Sequence, residues 1–137
     1  MNSTIFANNS IIVAAINQFE KAISIISTKI EDYIEDNSDN SILEKLESLC
    51  KDASVQEIGL RLASEESYEF GDTEKEYIAQ YVEQVRYQKQ RFQEIINKIT
   101  EHDYMLNSFK IRNFDSLIED IDSVLCIGGV LLREDGE

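Results

Sequence analysis

Apolar residues recur between positions 73 and 102 with the spacing that places them on one side of an α-helix. One row repeats every seven residues and a second row lies beside it: Ile78, Val85, Phe92 and Ile99, then Tyr81, Val82, Ile95 and Ile96. Thr73 and Glu76 match the S/T-x-x-E capping box, which satisfies backbone N–H groups of a first helical turn. The pattern therefore predicts a long helix over residues 73–102 with one buried face.

A second apolar row near the N-terminus predicts a partner helix over residues 10–36. Its members alternate in spacings of four and three residues, which is typical of a helix that buries a narrow seam: Ile12, Ile16, Phe19, Ile23, Ile26, Ile30 and Tyr33. Asn9 or Ser10 is the expected N-cap. Two long helices with matching seams pack most simply at a shallow angle, and we expect them to run antiparallel.

Two polar residues, Gln88 and Lys89, interrupt the apolar row of the second long helix between Tyr81 and Ile95. A polar side chain in such a seam can fix the register and the partner choice of packed helices. In the alternative interpretation, which we favour, Gln88 lies at the edge of the core with its polar end directed to solvent.

Shorter elements are predicted between and after the two long helices. Ser41 with Glu44, and Ser54 with Glu57, match two further capping boxes that would open short helices. Residues 109–112 alternate between apolar and basic side chains, which permits a short β element near the C-terminus. A last helix would follow this element.

Composition supports a mostly helical chain. The 137 residues include no proline and only five glycines, whereas all-β architectures need turn residues at short intervals. A chain of this length is expected to form one domain. We therefore predict an all-α fold, a helical bundle built on two long helices, as a single acidic domain over residues 1–137.

The formal net charge of −14 at pH 7 limits the classes of partner. Direct binding to nucleic-acid phosphates requires clustered Lys and Arg side chains, and anionic membrane surfaces also attract basic segments. The chain shows neither the pattern of a signal peptide nor a run of about 20 apolar residues. We predict a cytoplasmic protein that binds neither nucleic acid nor membranes directly.

Side chains suited to catalysis or metal binding are scarce. His102 is the only histidine, and Cys50 and Cys126 lie in apolar faces, where thiols are expected to be buried and unreactive. A structural zinc site needs about four ligands. Nucleotide-binding and nucleophile-elbow motifs are absent. We predict no catalytic residue, no metal site, no cofactor and no enzymatic activity.

Two acidic stretches are the predicted partner-binding surface. One lies at the end of the first long helix, and the other is a loop in which acids surround two aromatic rings, a composition suited to recognition of a basic partner. In the alternative, the two rings of the loop cover the end of the core. The predicted binding residues are Glu31, Asp32, Glu35, Asp36, Asp39, Glu65, Glu66, Tyr68, Glu69 and Phe70.

Three functional hypotheses follow from these patterns. The first is a module that binds and neutralises or escorts a basic protein partner, as an immunity protein or inhibitor does. The second is a nucleic-acid mimic that inhibits a DNA- or RNA-binding complex through its carboxylates. The third is a helical structural subunit that forms a homo-oligomer or larger assembly through the uncharged residues 124–132, in which Gly128 and Gly129 are expected to interrupt the helix.

Overall fold

The structure is a computed structural model that describes residues 4–36, 41–53, 55–65, 70–99 and 104–133. Within these ranges the chain forms six α-helices and one π-helical turn: α1 (Ile5–Glu35), α2 (Ser41–Lys51), α3 (Val55–Ala63), α4 (Asp72–Ile99), α5 (Tyr104–Phe109), the π-helical turn (Lys110–Phe114) and α6 (Asp115–Leu131). No strand occurs in the described residues, so the predicted all-α fold is confirmed.

The helices form four rods that run alternately up and down the bundle. The rods are α1, then α2 with α3, then α4, then α5 with the π-helical turn and α6. The second rod returns along α1, where the side-chain amide of Gln18 donates to the backbone carbonyl of Asp52 at 3.1 Å. The fourth rod returns along α4, where Lys89 pairs with Asp122. The main packing partners of α1 are α4, α3 and α2, whereas α6 packs on α3 and α4.

The two long helices, α1 and α4, run parallel. The ring of Phe6 lies 5.1 Å from that of Tyr77 near the start of both helices, and Arg91 donates to the hydroxyl of Ser24 further along both. The expected antiparallel arrangement is therefore wrong. The reason is that α2 and α3 together carry the chain back to the start of α1 before α4 begins.

The predicted apolar rows of α1 and α4 form the centre of the core. Every residue of the predicted α1 row is buried, with no more than 2% of its surface exposed. The α4 row is buried too, except for Ile96, which is half-buried. Burial of a large aliphatic or aromatic side chain stabilises a fold by about 1.5–3 kcal/mol. The paired rows therefore supply much of the free energy of folding.

The start of α4 is capped two residues earlier than predicted. The backbone N–H of Gly71 donates to the Glu74 carboxylate at 3.0 Å, and Gly71 also accepts the N–H of Lys75 through its backbone oxygen. Thr73 and Glu76 are both exposed and lie inside the first turns. The reciprocal S/T-x-x-E box is thus replaced by a glycine N-cap with one carboxylate contact. Ser54, from another predicted box, lies outside the described residues.

Residues 109–112 are helical, so the predicted short β element is wrong. The buried residues of the fourth rod are spaced by three or four positions except for one interval of five, between Phe109 and Phe114. In an α-helix an interval of five would turn the second side chain away from the first, whereas a π-helix has a wider turn. Both rings consequently face the core, 5.0 Å apart, and Phe114 lies 5.1 Å from Phe92 of α4.

A side-chain hydrogen bond is added to the backbone bonds of the π-helical turn. The N–H of Asp115 bonds to the carbonyl of Lys110, five residues earlier. The carbonyl of Phe109 accepts a hydrogen bond from the side-chain amide of Asn113 at 3.3 Å. Ile111, within the same turn, is 67% exposed and adds little to the core.

A glycine sets the distance between α6 and α4. A Cβ atom built on Gly128 would lie 2.4 Å from Cγ2 of Val82, whereas one built on Gly129 would meet no atom within 4 Å. Gly128 and Gly129 lie inside α6, which continues to Leu131. The expectation that these glycines interrupt the helix is therefore wrong, since Gly128 serves the close approach of two helices.

Helix α1 is long and apolar enough to cross a membrane by length and composition alone, with a mean hydropathy of 1.3 over its most apolar 18 residues. Its apolar row packs against α4 in the core. The hydropathy of α1 is thus what a central core helix requires. The absence of membrane binding stays a prediction.

The two adjacent glycines of α6 provide a matched test of the close packing. We expect Gly128→Ala to lower the free energy of unfolding by about 1–3 kcal/mol, because the new methyl group overlaps Val82. Gly129→Ala should raise it by up to about 1 kcal/mol through helix propensity. Urea denaturation of both variants checks this, and equal effects of the two changes would contradict the close approach.

A second pair of variants tests the interval of five. Deletion of Ile111 restores spacings of three and four along the whole fourth rod, so we expect the deletion variant to fold with unchanged helix content and undiminished stability. Deletion of Ser123, which is also exposed, turns Val124 and Leu131 away from the core at a cost of about 1.5–3 kcal/mol for each side chain. Circular dichroism during thermal unfolding compares the two. Similar losses of stability in the two variants would refute the interpretation that the extra residue between Phe109 and Phe114 is not needed to pack the core.

Candidate functional site

The acidic end of α1 consists of Glu31, Asp32, Glu35 and Asp36, all of which are exposed. Glu31 with Glu35, and Asp32 with Asp36, are each one helical turn apart, which is about 6 Å along the axis. These four predicted binding residues thus form a continuous acidic surface. The fifth predicted residue of this stretch, Asp39, lies outside the described residues.

The helix itself disfavours this concentration of negative charge. The C-terminal end of a helix carries a partial negative charge from its unpaired carbonyl groups, which basic side chains usually offset. The last turn of α1 contains no basic residue. Each misplaced acidic side chain costs about 0.3–1 kcal/mol when exposed. The acidic end is therefore an arrangement that lowers stability.

The ion pairs of the described residues do not involve Glu31, Asp32 or Glu35. Three of the described pairs lie within single helices, and the fourth joins Lys89 Nζ of α4 to Asp122 Oδ1 of α6 at 2.6 Å: Lys51 with Glu47, Arg61 with Glu57, Arg86 with Glu83, and Lys89 with Asp122. No described cation pairs with Glu31, Asp32 or Glu35. The carboxylates of these three residues remain available to a partner.

Glu65, a predicted binding residue, is fully buried and caps α1. Its carboxylate accepts the backbone N–H of Thr4 at 3.2 Å and also the hydroxyl of Thr4. Thr4 is the N-cap of α1, so a carboxylate here satisfies an unpaired donor and complements the positive end of the helix dipole. Glu65 is therefore a structural residue, and its assignment to an exposed binding loop is wrong.

This contact also explains why α1 begins earlier than predicted. The helix starts at Ile5 and includes Asn9 and Ser10, which were the expected N-cap residues. The cap is supplied across the fold by Glu65, 61 positions away in the chain. A local motif search has no access to such a partner.

The remaining predicted loop residues are only partly described. Phe70 is half-buried and packs against the core. That placement favours the alternative in which the ring covers the end of the bundle. Glu66, Tyr68 and Glu69 lie outside the described residues, so their role in binding stays a prediction.

Gln88 is buried within the seam, with 3% of its surface exposed. Its amide oxygen accepts a hydrogen bond from Arg91 at 2.8 Å, and Arg91 in turn donates to the hydroxyl of Ser24 at 3.0 Å. This network links α4 to α1 at one height of the bundle. It agrees with the interpretation in which a buried polar residue fixes the register of the two helices. It does not agree with the favoured prediction, in which Gln88 lies at the edge of the core and is directed to solvent.

A groove of about 800 Å³ lies on the opposite side of the bundle from the contact between α1 and α4. One wall is the link from α2 to α3, and the other is the π-helical turn with the start of α6. The floor includes Ala53, Val55 and Leu117, each no more than 3% exposed. None of the apolar or charged patterns described above predicts this groove.

The rim of the groove carries charges of both signs. Lys51 and Arg112 are its basic residues, and Asp52 and Asp120 are its acidic ones. Lys51 pairs with Glu47 at 3.2 Å, and Asp120 accepts a long hydrogen bond of 3.5 Å from Gln56. Arg112 has no hydrogen bond or ion pair with any residue that the structure describes. The groove thus combines an apolar floor with a rim of no net charge.

The two thiols differ in environment. Cys50 is half-buried at the groove, and burial, with a smaller contribution from the nearby Glu47 carboxylate, raises the pKa of its thiol to about 12. A thiol with such a pKa is a weak nucleophile at neutral pH. Cys126 is exposed on α6, so the expectation that both cysteines are buried is wrong for Cys126.

The only other clear shift among the described residues concerns Tyr81. Burial, together with the adjacent Tyr77, raises the pKa of the Tyr81 phenol to about 12. Its hydroxyl donates to the side-chain oxygen of Asn9, which ties α4 to α1. Both raised pKa values keep these groups neutral, in structural roles.

The uncharged residues 124–132 have a buried and an exposed side. Val124, Gly128 and Leu131 face the core, whereas Cys126, Gly129 and Val130 are exposed. Helix packing thus accounts for the buried side of this segment. The homo-oligomer that it was predicted to support stays a prediction.

Among the described residues, no three His, Cys, Asp or Glu side chains are grouped as a metal site requires. His102 lies outside the described residues. Comparison of the chain with protein-family models, curated proteins and solved structures finds no match. The acidic end of α1 and the mixed-charge groove are therefore the two candidate functional sites.

The cap formed by Glu65 can be tested by substitution. We expect Glu65→Ala to lower the free energy of unfolding by about 1.5–3 kcal/mol, because it removes a buried, charge-assisted acceptor from the two donors of Thr4. Glu94→Ala, which removes an exposed glutamate of α4, should change it by less than about 0.5 kcal/mol. Equal values in urea titrations would show that Glu65 does not cap α1.

Proposed function

We propose that the protein is a non-enzymatic binding module that captures a basic protein partner through the acidic end of α1. The observation that carries this proposal is the set of three carboxylates, on Glu31, Asp32 and Glu35, that no described cation neutralises. They stand at the helix end where negative charge is least favourable. A surface that lowers stability in the free protein is expected where it serves another purpose, such as binding.

This surface would raise both the association rate and the binding specificity of a basic partner. The summed negative potential of a chain with a net charge of −14 attracts a basic protein over long distances, and salt weakens that attraction. Close contacts with the carboxylates of α1 would then select the orientation of the complex. Because Glu31 and Glu35 share one row, a partner helix or loop with two neighbouring basic residues fits the spacing.

One observation favours a second candidate, the nucleic-acid mimic. Two carboxylate rows with a repeat of about 6 Å along a helix resemble, in charge sign and regularity, the edge of a phosphate backbone. In this case the partner is a DNA- or RNA-binding protein, and nucleic acid should compete with the acidic end for it. The structural-subunit hypothesis has no comparable support from charge.

The test compares two variants that carry the same net charge. The first neutralises the acidic end by Glu31→Gln, Asp32→Asn, Glu35→Gln and Asp36→Asn. The control neutralises four exposed acids spread over three helices, by Glu20→Gln, Glu76→Gln, Glu94→Gln and Glu119→Gln. Each protein is used to capture partners from a lysate of the source cell, the captured basic protein is purified, and its Kd is measured calorimetrically at low and high salt.

We expect the first variant to lose about tenfold or more in affinity at low salt, while the control keeps most of it, since close charge pairs at interfaces contribute more than distant ones. The first variant should also unfold at a higher temperature, so instability would not explain the loss. Equal affinities of the two variants would refute the assignment of the surface. Competition by double-stranded DNA would favour the mimic.

A further inference from the structure

The π-helical turn is not needed to pack the fourth rod. Removal of one residue from the interval between Phe109 and Phe114 would leave a continuous helix with regular apolar spacing and the same rings in the core. The extra residue therefore has another effect, which is to change the direction of the side chains beside it. π-Helical turns of this kind are frequent at functional sites.

Two of the redirected side chains, Arg112 and Asn113, line the groove. The Asn113 amide is held by the carbonyl of Phe109, so the turn is fixed in place. The Arg112 guanidinium has no partner among the described residues and offers five N–H donors in a geometry that suits a carboxylate. One end of the groove is thus prepared for an anionic group.

The other end of the groove is suited to a cation. Asp120 lies two turns further along α6, and its long hydrogen bond of 3.5 Å from Gln56 leaves most of its acceptor capacity open. Between the two ends, the buried side chains of Val55 and Leu117 present an apolar floor. Arg112, Leu117 and Asp120 follow one another along the π-helical turn and α6, so the anion site, the apolar floor and the cation site lie in this order along the fourth rod.

The dimensions select the kind of ligand. Eight residues separate Arg112 from Asp120, which corresponds to about 12 Å along a helix. An extended tripeptide spans roughly 10 Å, whereas the charged groups of a single amino acid lie within one residue length of about 3.5 Å. The groove volume of about 800 Å³ lies within the range of small-ligand sites, roughly 300–1,000 Å³.

We propose that this groove binds a short peptide with free ends, with the carboxylate on Arg112, an apolar side chain on Val55 and Leu117, and the ammonium group on Asp120. This site is separate from the acidic end of α1. It selects ligands that carry both charges because its rim has no net charge. A purely basic or purely acidic ligand would meet a repelling group at one end.

The test uses the full chain and the tripeptide Ala-Leu-Ala as the probe. Nuclear magnetic resonance spectra of the labelled protein report which backbone amides shift, and titration gives Kd. We expect saturable shifts confined to residues 50–56 and 112–120. The same peptide with acetylated and amidated ends, and free leucine, should each bind about tenfold or more weakly, because each loses at least one charged contact.

Variants of the protein distinguish this site from a nonspecific surface. Arg112→Ala, Asp120→Asn and deletion of Ile111 should each weaken binding of Ala-Leu-Ala by about tenfold, since they remove the anion site, the cation site and the turn that directs Arg112. Arg133→Ala, at an exposed site beyond the end of α6, is the matched control and should bind as the wild type does.

Absence of saturable shifts at millimolar peptide would overturn the proposal. Equal binding of the blocked and free peptides would also overturn it, as would unchanged affinity after Arg112→Ala. If deletion of Ile111 impairs folding, the two point variants still decide the question, because both side chains are at least partly exposed and carry little of the core.

Discussion

The buried seam between α1 and α4 is the interaction on which the rest of the bundle depends. It joins the two longest helices along most of their length, and its residues alternate by three and four so that each helix keeps one side toward the other. The hydrogen bonds of Tyr81 with Asn9 and of Arg91 with Ser24 fix the register of this pair. The shorter helices then cover the opposite sides of both rods.

A parallel seam imposes a condition on the connection between its helices. The chain must travel the length of α1 in reverse before α4 can begin, and α2 with α3 form that return path. Glu65 completes it, because the end of the returning segment meets the first residues of α1. One buried carboxylate thus caps α1 and also holds the start of α1 in contact with the segment that follows α3.

Much of this architecture was predictable from apolar spacing. The apolar rows from Ile12 to Tyr33 and from Ile78 to Ile99 predict the buried residues of the seam, apart from the half-buried Ile96 and the buried Gln88, and the all-α fold follows from them. The relative direction of the two helices was not predictable, because apolar residues spaced by three and four positions are found in both parallel and antiparallel helix pairs. The Glu65 cap was missed for a similar reason, since its partner Thr4 is remote in sequence.

The two candidate sites also differ in how far the sequence predicts them. Exposure of the acidic end of α1 follows from helical periodicity once the seam is known, so Glu31 and Glu35 could be placed from sequence. The groove depends on how two helix junctions face each other, and that arrangement exists only in three dimensions. One signal was nonetheless present. The interval of five between Phe109 and Phe114 departs from the otherwise regular spacing of three and four. This irregularity indicates that the side chains of Arg112 and Asn113, which lie within the interval, have a changed direction.

The interval of five has a consequence for how such a protein can change over time. Loss of a single codon between Phe109 and Phe114 would alter the groove while the apolar spacing of the core becomes regular. A change of one residue in chain length would thus alter the groove without altering the helical bundle. If the groove binds the proposed peptide, the extra residue determines what the protein binds without determining how it folds.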